Sequence, residues 1–249
     1  MKIVKIKKVG KKYNILFDDT TKITTFDDVI INNSLLFDKE VDQKLLDKII
    51  HENSYYDLYY KAVNYISHKL RSEKEINLFL QTDIKTKQKI INKLKQIGLI
   101  NDLNFTKAYI ADKFNLSNLG PYKIKKDLLE HDIDSSIIDD ELTKIDDDLI
   151  INKINKLITK QIKNSKYAGF YLKQKVINYI VNLGFDKEMI INLYDNFKFD
   201  NTSLIQKEYD KLFKKLSNKY NSFELENNIN KKLYAKGFKQ DEIKGIKKV

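Results

Sequence analysis

The chain contains no cysteine, which removes two classes of architecture at once. Neither a disulfide framework nor a thiolate-held metal is available, and a reducing, cytosolic home is expected. Long apolar runs are missing as well. No uncharged stretch approaches the ~18 residues that a membrane span needs. The opening MKIVKIKKVGKK places a Lys every two or three residues and so lacks the apolar core of a signal peptide. The expectation is a soluble cytoplasmic protein with no membrane partner. Proline occurs once, at Pro121, and most of the seven glycines sit where helices should stop or start. Arginine is equally scarce, with Arg71 alone among 46 basic residues.

Catalytic patterns are also lacking. His51, His68 and His131 are scattered without a metal-binding HExxH pair, and no glycines take the spacing of a phosphate loop followed by Lys-Ser/Thr. The acidic phrases DDEL (139–142) and DDDL (146–149) lack the EF-hand pattern and lie in a helical period, so they read as a solvated acidic face. No Ser-His-Asp arrangement can be argued. A non-enzymatic protein is expected, with no cofactor, catalytic residue or metal site.

What is present is charge, unevenly spread. The net charge is +11, yet residues 101–150 carry −6 while 151–200 carry +5 and 201–249 carry +6. A general preference for Lys codons would not create that gradient. Two stretches, 156–175 and 207–220, interleave Lys with aromatic residues, among them Tyr167, Phe170 and Tyr171. Lysines neutralise phosphates and release counterions, and exposed aromatics stack on unpaired bases. The same aromatics could instead be buried core, and both readings stay open here. Arg71 likewise has two readings: a planar fork for a partner's carboxylate, or an internal ion pair orienting the first helices.

Periodicity supplies the architecture. Tyr13, Ile15 and Phe17 alternate with polar neighbours between two short β-branched segments, so residues 2–26 read as a three-stranded antiparallel meander. A helix beginning at FDDVIINNSLL, with Asp27 as N-cap, covers one face, and a second, KEVDQKLLDKIIHEN, leads out. From the mid-fifties the spacing stays helical. The phrase NLGFDKEMI (182–190) returns as AKGFKQDEI (235–243), with looser copies at Ile133 and Ile84, giving a repeat of about fifty residues. Each phrase reads as a helix end, a turn and a packing residue, not as a site. The first unit should hold helices over 55–69, 72–82 and 86–97. Ser72 and Glu75 there form a capping box, and Pro121 starts a helix in the next unit. The expected fold is mainly α: a small β-meander with helices (1–54), then three-helix repeats over 55–100, 101–148, 149–199 and 200–249. Stacked together, they would form an elongated solenoid.

Three phrases in this order carry a resemblance: RSEKEINLFL (71–80), IGLINDLNFTKAYI (97–110) and GPYKIKKDLL (120–129). They resemble the successive signatures of the RecX family, modulators of the RecA recombinase, and the β-meander in front resembles that family's longer members. Departures are Tyr122 where a basic residue is usual, Asp127 in place of Glu, and Asp83-Ile84 and Asp132-Ile133 at the Gly-Phe junctions. The resemblance implies a monomer that binds RecA filaments on single-stranded DNA and restrains their growth, ATP hydrolysis and strand exchange. The alternative is a helical-repeat protein that binds single-stranded DNA or RNA without a recombinase. Candidate partner- or DNA-contacting residues are Arg71, Lys113, Lys123, Lys125, Lys126, Lys163, Lys166, Lys173, Lys175, Lys214 and Lys215.

Overall fold

The structure, a computed structural model, describes residues 1–197 and 200–246. Strands β1 (Ile3–Val9), β2 (Lys12–Phe17) and β3 (Lys22–Thr25) form an antiparallel meander in the order β1-β2-β3. Ile3, Ile15 and Phe17 are buried; the register of β1 shifts between Ile3 and Lys5, so beyond the shift it is Ile6, opposite Ile15, that turns inward between exposed Lys5 and Lys7. A three-stranded sheet gains independent stability only against a covering face. Helices α1 (Asp27–Asn32) and α2 (Gln43–Ser67) provide it, placing Val29, Ile49 and Ala62 in the same core.

Two expectations are corrected here. Asp27 is the first helical residue of α1, and the N-cap is Phe26, which has no side-chain cap bond. Packing decides the entry of the chain, because Phe26 is buried and stacks on Tyr60 at 4.9 Å. The second concerns α2, a single 25-residue helix where the sequence suggested one helix over 39–53 and another from 55. Its N-cap is Asp42, whose carboxylate accepts the Leu45 N–H at 2.7 Å. The polar HENS stretch looks like a break, but no Gly or Pro interrupts it. Ile49, Tyr56, Tyr59, Ala62 and Ile66 continue one buried stripe through it.

Helices α3 (Glu73–Phe79) and α4 (Ile84–Gln96) follow. The predicted capping box is present: the Glu75 N–H donates to Ser72 Oγ at 3.2 Å and the Ser72 N–H to Glu75 Oε2 at 3.1 Å. Because Ser72 is fully buried, Ser72→Ala is expected to cost about 1–2 kcal/mol in denaturant unfolding.

The chain divides into two compact units, Met1–Phe105 and Thr106–Val249, with the boundary inside α5 (Asp102–Asn115). The second unit continues with α6 (Pro121–Glu130), α7 (Ser135–Leu142), α8 (Asp147–Lys163), α9 (Gly169–Asn182) and α10 (Lys187–Asp195). It ends with α11 (Thr202–Leu216), α12 (Ser222–Tyr234) and α13 (Gln240–Lys244). Pro121 occupies the first turn of α6, as the missing N–H requires.

The repeated phrase does more than end a helix. Gly184 and Gly237 take φ +91° and +92°, and Phe185 and Phe238 behind them are buried. Against each glycine lies the start of a middle helix from the preceding repeat. The Gly120 N–H donates to Leu183 O at 2.7 Å and the Tyr122 N–H to Gly184 O at 3.0 Å. One repeat later, the Ala168 N–H donates to Lys236 O at 2.8 Å. The N-cap N–H of α6 and of α9, which has no intrahelical partner, is therefore met by the residue before the next repeat's glycine. A Cβ on Gly184 would lie 2.4 Å from the Lys123 backbone N, and one on Gly237 would lie 2.2 Å from Ala168 O. The joint is closed backbone to backbone, and only glycine fits.

The two looser copies divide. Asp132 adopts φ +59° in the glycine's place, a conformation Asp tolerates, and Ile133 and Ile138 behind it are buried as expected. Ile84 is a correction: it is 85% exposed, at the first position of α4. The other copies put the apolar residue just before the N-cap, at Ile133, Phe185 and Phe238, whereas here that position is Thr82 ahead of Asp83. The buried side chain at this junction is Leu80.

Candidate functional site

Of the ten lysines singled out by sequence, six meet a carboxylate or a ring, the loosest being Lys166 at 5.8 Å from the Tyr167 ring centre. On α6, Lys123 pairs with Asp127 at 3.0 Å and Lys125 with Asp139 at 2.5 Å, while Lys126 is exposed. Lys113 lies 5.2 Å from the Tyr109 ring centre. On α9, Lys173 pairs with Asp195 at 2.5 Å, and Lys175 sits 3.6 Å from the centre of the Tyr167 ring. Lys175, and then Lys166, hold the Tyr167 hydroxyl below its ordinary pKa. The acidic phrases serve the fold: Lys144 pairs with Asp140 and Glu141 at 2.7 Å each, and the Asp146 carboxylate caps α8.

Arg71 is engaged internally. Its side chain is 17% exposed, and Nη1 donates to Glu75 Oε1 at 3.0 Å. Its guanidinium lies 3.9 Å from the centre of Tyr65, which in turn stacks on Phe79 at 4.2 Å. The other Glu75 oxygen is taken by the capping box, so the pair has one bond and not the two of a bidentate fork. The stack aligns the end of α2 with α3, and the guanidinium is not presented to a partner.

Lys163 and Lys166 are different. The C-terminal end of α8 and the first half of α11 converge on a groove of about 770 Å³, lined by Lys163, Lys166, Lys207 and Lys211. It continues along α8 into a shallower depression holding Lys156 and Lys160 with Asn152, Asn155 and Thr159. Among the described residues none of these six lysines pairs with a carboxylate. Of the two carboxylates on the groove wall, buried Glu208 is neutralised by Lys236. Asp200 accepts from the hydroxyl and N–H of Thr202 at 2.6 and 2.9 Å, bonds that hold its pKa down. The balance is four ammonium groups against one anion, with hydroxyl and amide groups between them. Such a surface suits a run of phosphates, each met by a cation that need not abandon a carboxylate to reach it.

Beneath it, Lys153 is turned inward, bonded to Phe114 O and 4.2 Å from the Phe114 ring centre. Burial, and secondarily the Lys156 charge, push its pKa down. It belongs to the core side of α8. Lys214 and Lys215 lie further along α11 and do not line the groove. Lys156, Lys160, Lys207 and Lys211 were not singled out by sequence. The available signal was spacing: Lys156, Lys160 and Lys163 recur at i, i+4 and i+7 on α8, and Lys207 and Lys211 at i and i+4 on α11.

Among the described residues no helix is long and apolar enough to cross a membrane, and no group of three or more acidic or His side chains could hold a metal.

Comparison with known proteins decides the family. A regulatory protein RecX of Streptococcus agalactiae serotype III is 33% identical over 98% of this chain and 97% of its own length. The chain belongs to the RecX family. A RecX from Lactococcus lactis subsp. lactis is 30% identical over 97% of this chain and 95% of its own. The family model for the second three-helix domain of RecX matches residues 101–142, which hold α5, α6 and α7. Among solved structures, a crystal structure of regulatory protein RecX covers 78% of this chain and 99% of its own, at 26% identity and a TM-score of 0.68. RecX from Lactobacillus salivarius covers 57% of this chain and 97% of its own, at 29% identity and a TM-score of 0.53. The mainly helical fold is thus shared with solved RecX structures.

Proposed function

We propose that this protein is a cytoplasmic, non-enzymatic regulator that binds recombinase filaments on single-stranded DNA and restrains their growth, ATP hydrolysis and strand exchange. It acts as a monomer, and its partners are a RecA-type recombinase and the strand that the recombinase coats. The family membership supports the partner. The observation that supports the DNA side is the set of six lysines along α8 and α11 that have no carboxylate partner, a surface suited to phosphates with no competing internal ion pairs. Arg71, Lys123, Lys125 and Lys173 are left out of this surface, because each is engaged within the fold.

The test is recombinase-driven ATP hydrolysis on single-stranded DNA, titrated with this protein and repeated with naked strand as competitor. Inhibition is expected well below the ratio needed to coat the strand, with little relief by competitor. Inhibition only at coating ratios would instead favour a protein that competes for DNA without recognising the recombinase.

A further inference from the structure

Three middle helices carry an aromatic residue at their second position, and all three are in water: Tyr122 on α6, Phe170 on α9 and Phe223 on α12. The fourth position of each helix is the buried anchor, Ile124, Leu172 or Leu225, so the exposed rings do not supply the core. Phe170 is the one beside the lysine groove. It is 69% exposed, its neighbour Tyr171 is 51% exposed, and the two rings meet edge to face at 6.0 Å. Next to them lies a cavity of about 380 Å³, walled in part by Phe170, Lys173, Tyr194, Asn201 and Lys239, with Glu242 on the wall accepting from the Asn201 amide and the Lys239 N–H. Leu172 and Asn201 line both this cavity and the groove, so the two recesses adjoin.

We propose that Phe170, backed by Tyr171, is a stacking platform for an unpaired nucleobase of a strand whose phosphates follow the lysines of α8 and α11. This rests on the nucleic-acid reading of that groove. Charge argues for the occupant: the approach is lined by Lys163, Lys166, Lys207 and Lys211, which favour a polyanion. A polyanion with flat apolar groups on its backbone is a nucleic acid. In a duplex those groups are paired and stacked inside, beyond the reach of a surface ring, whereas a single strand can turn a base onto Phe170. The lysines therefore give affinity for any strand, and Phe170 gives preference for the unpaired one. The fold contributes by fixing the ring's base: the Ala168 N–H is bound to Lys236 O, which holds the first turn of α9 in place.

The experiment compares Phe170→Ala and Phe170→Trp with the unaltered full chain. The probes are a fluorescein-labelled oligodeoxythymidylate and a duplex of equal phosphate count, in fluorescence anisotropy across a salt series. Phe170→Ala should weaken single-strand binding roughly tenfold while leaving duplex binding and the salt slope unchanged, and Phe170→Trp should retain the preference. Unchanged single-strand binding in Phe170→Ala would overturn the platform while leaving the groove reading intact. An equal loss for both probes would overturn it too, since the ring would then not be sensing unpaired bases. Loss of recombinase inhibition with unchanged naked-strand binding would reassign Phe170 to a protein contact. Absence of binding to either probe by the unaltered chain would remove the groove reading, and the platform with it.

Discussion

Gly184→Ala is expected to destabilise the second unit by about 3 kcal/mol, a large loss for removing no side chain. At φ +91° a Cβ costs on the order of 1–2 kcal/mol before any neighbour is considered. The neighbours then add to it. The new methyl would sit 2.4 Å from the backbone N and the Cβ of Lys123, so α6 must retreat. Retreat breaks the Gly120–Leu183 and Tyr122–Gly184 hydrogen bonds, each worth ~1 kcal/mol. Gly98→Ala is the control: φ is +73°, yet nothing lies within 4 Å of its would-be Cβ, so only the conformational cost of about 1 kcal/mol remains. Thermal melts of the two variants should differ by roughly 4–8 °C, at ~2–4 °C per kcal/mol. Equal shifts would mean that the joint between repeats contributes nothing to stability.

That joint also marks where the sequence stopped being readable. The recurrence of Gly-Phe showed a repeat, and the left-handed turn and buried ring followed from the residue types alone. What the glycine touches did not follow, because Gly120 lies 64 residues before Gly184 and no local pattern links the two. The repeat's first copy failed for a related reason. Counting back from Ile133 selects Ile84, but the cap at Asp83 makes that residue the first of a helix pointing into water. The break expected near residue 54 failed because local polarity was weighed above the buried stripe that runs through it.

A second large effect is expected from reversing Lys160, Lys163, Lys207 and Lys211 to Glu together. These side chains are exposed and unpaired, so the fold should survive, while four cation–phosphate contacts become repulsions. Single-strand affinity should fall more than about 100-fold near 0.1 M salt, and the concentration that half-inhibits recombinase ATP hydrolysis should rise by a similar factor. Reduced affinity with unaltered inhibition would separate the two activities and place the regulatory contact elsewhere.

The candidate site was legible only in outline. The charge gradient along the chain drew attention to 156–175 and 207–220, the stretches that supply the groove lysines of α8 and α11. It could not sort the lysines within them, because Lys173 finds Asp195 and Lys175 finds Tyr167 through tertiary packing, while Lys163 and Lys166 find no carboxylate, Lys166 lying 5.8 Å from the Tyr167 ring centre. The aromatics were sorted in the same way: Tyr209 is buried, and Phe170 and Tyr171 are not. Lone arginine proved informative as chemistry, since the flat guanidinium is used against a flat ring, but the ring belongs to the protein itself.

In the proposed DNA-facing surface, the distribution of charge and not its total should set binding. Two quadruple neutralisations to Gln remove the same formal charge: Lys160, Lys163, Lys207 and Lys211 from the groove, or Lys123, Lys125, Lys144 and Lys173 from internal pairs. Measured as the dependence of single-strand binding on salt concentration, the groove set should lower the log–log slope by roughly 3, at ~0.7 per phosphate, and the paired set by less than about 1. Equal reductions in the two variants would contradict the account.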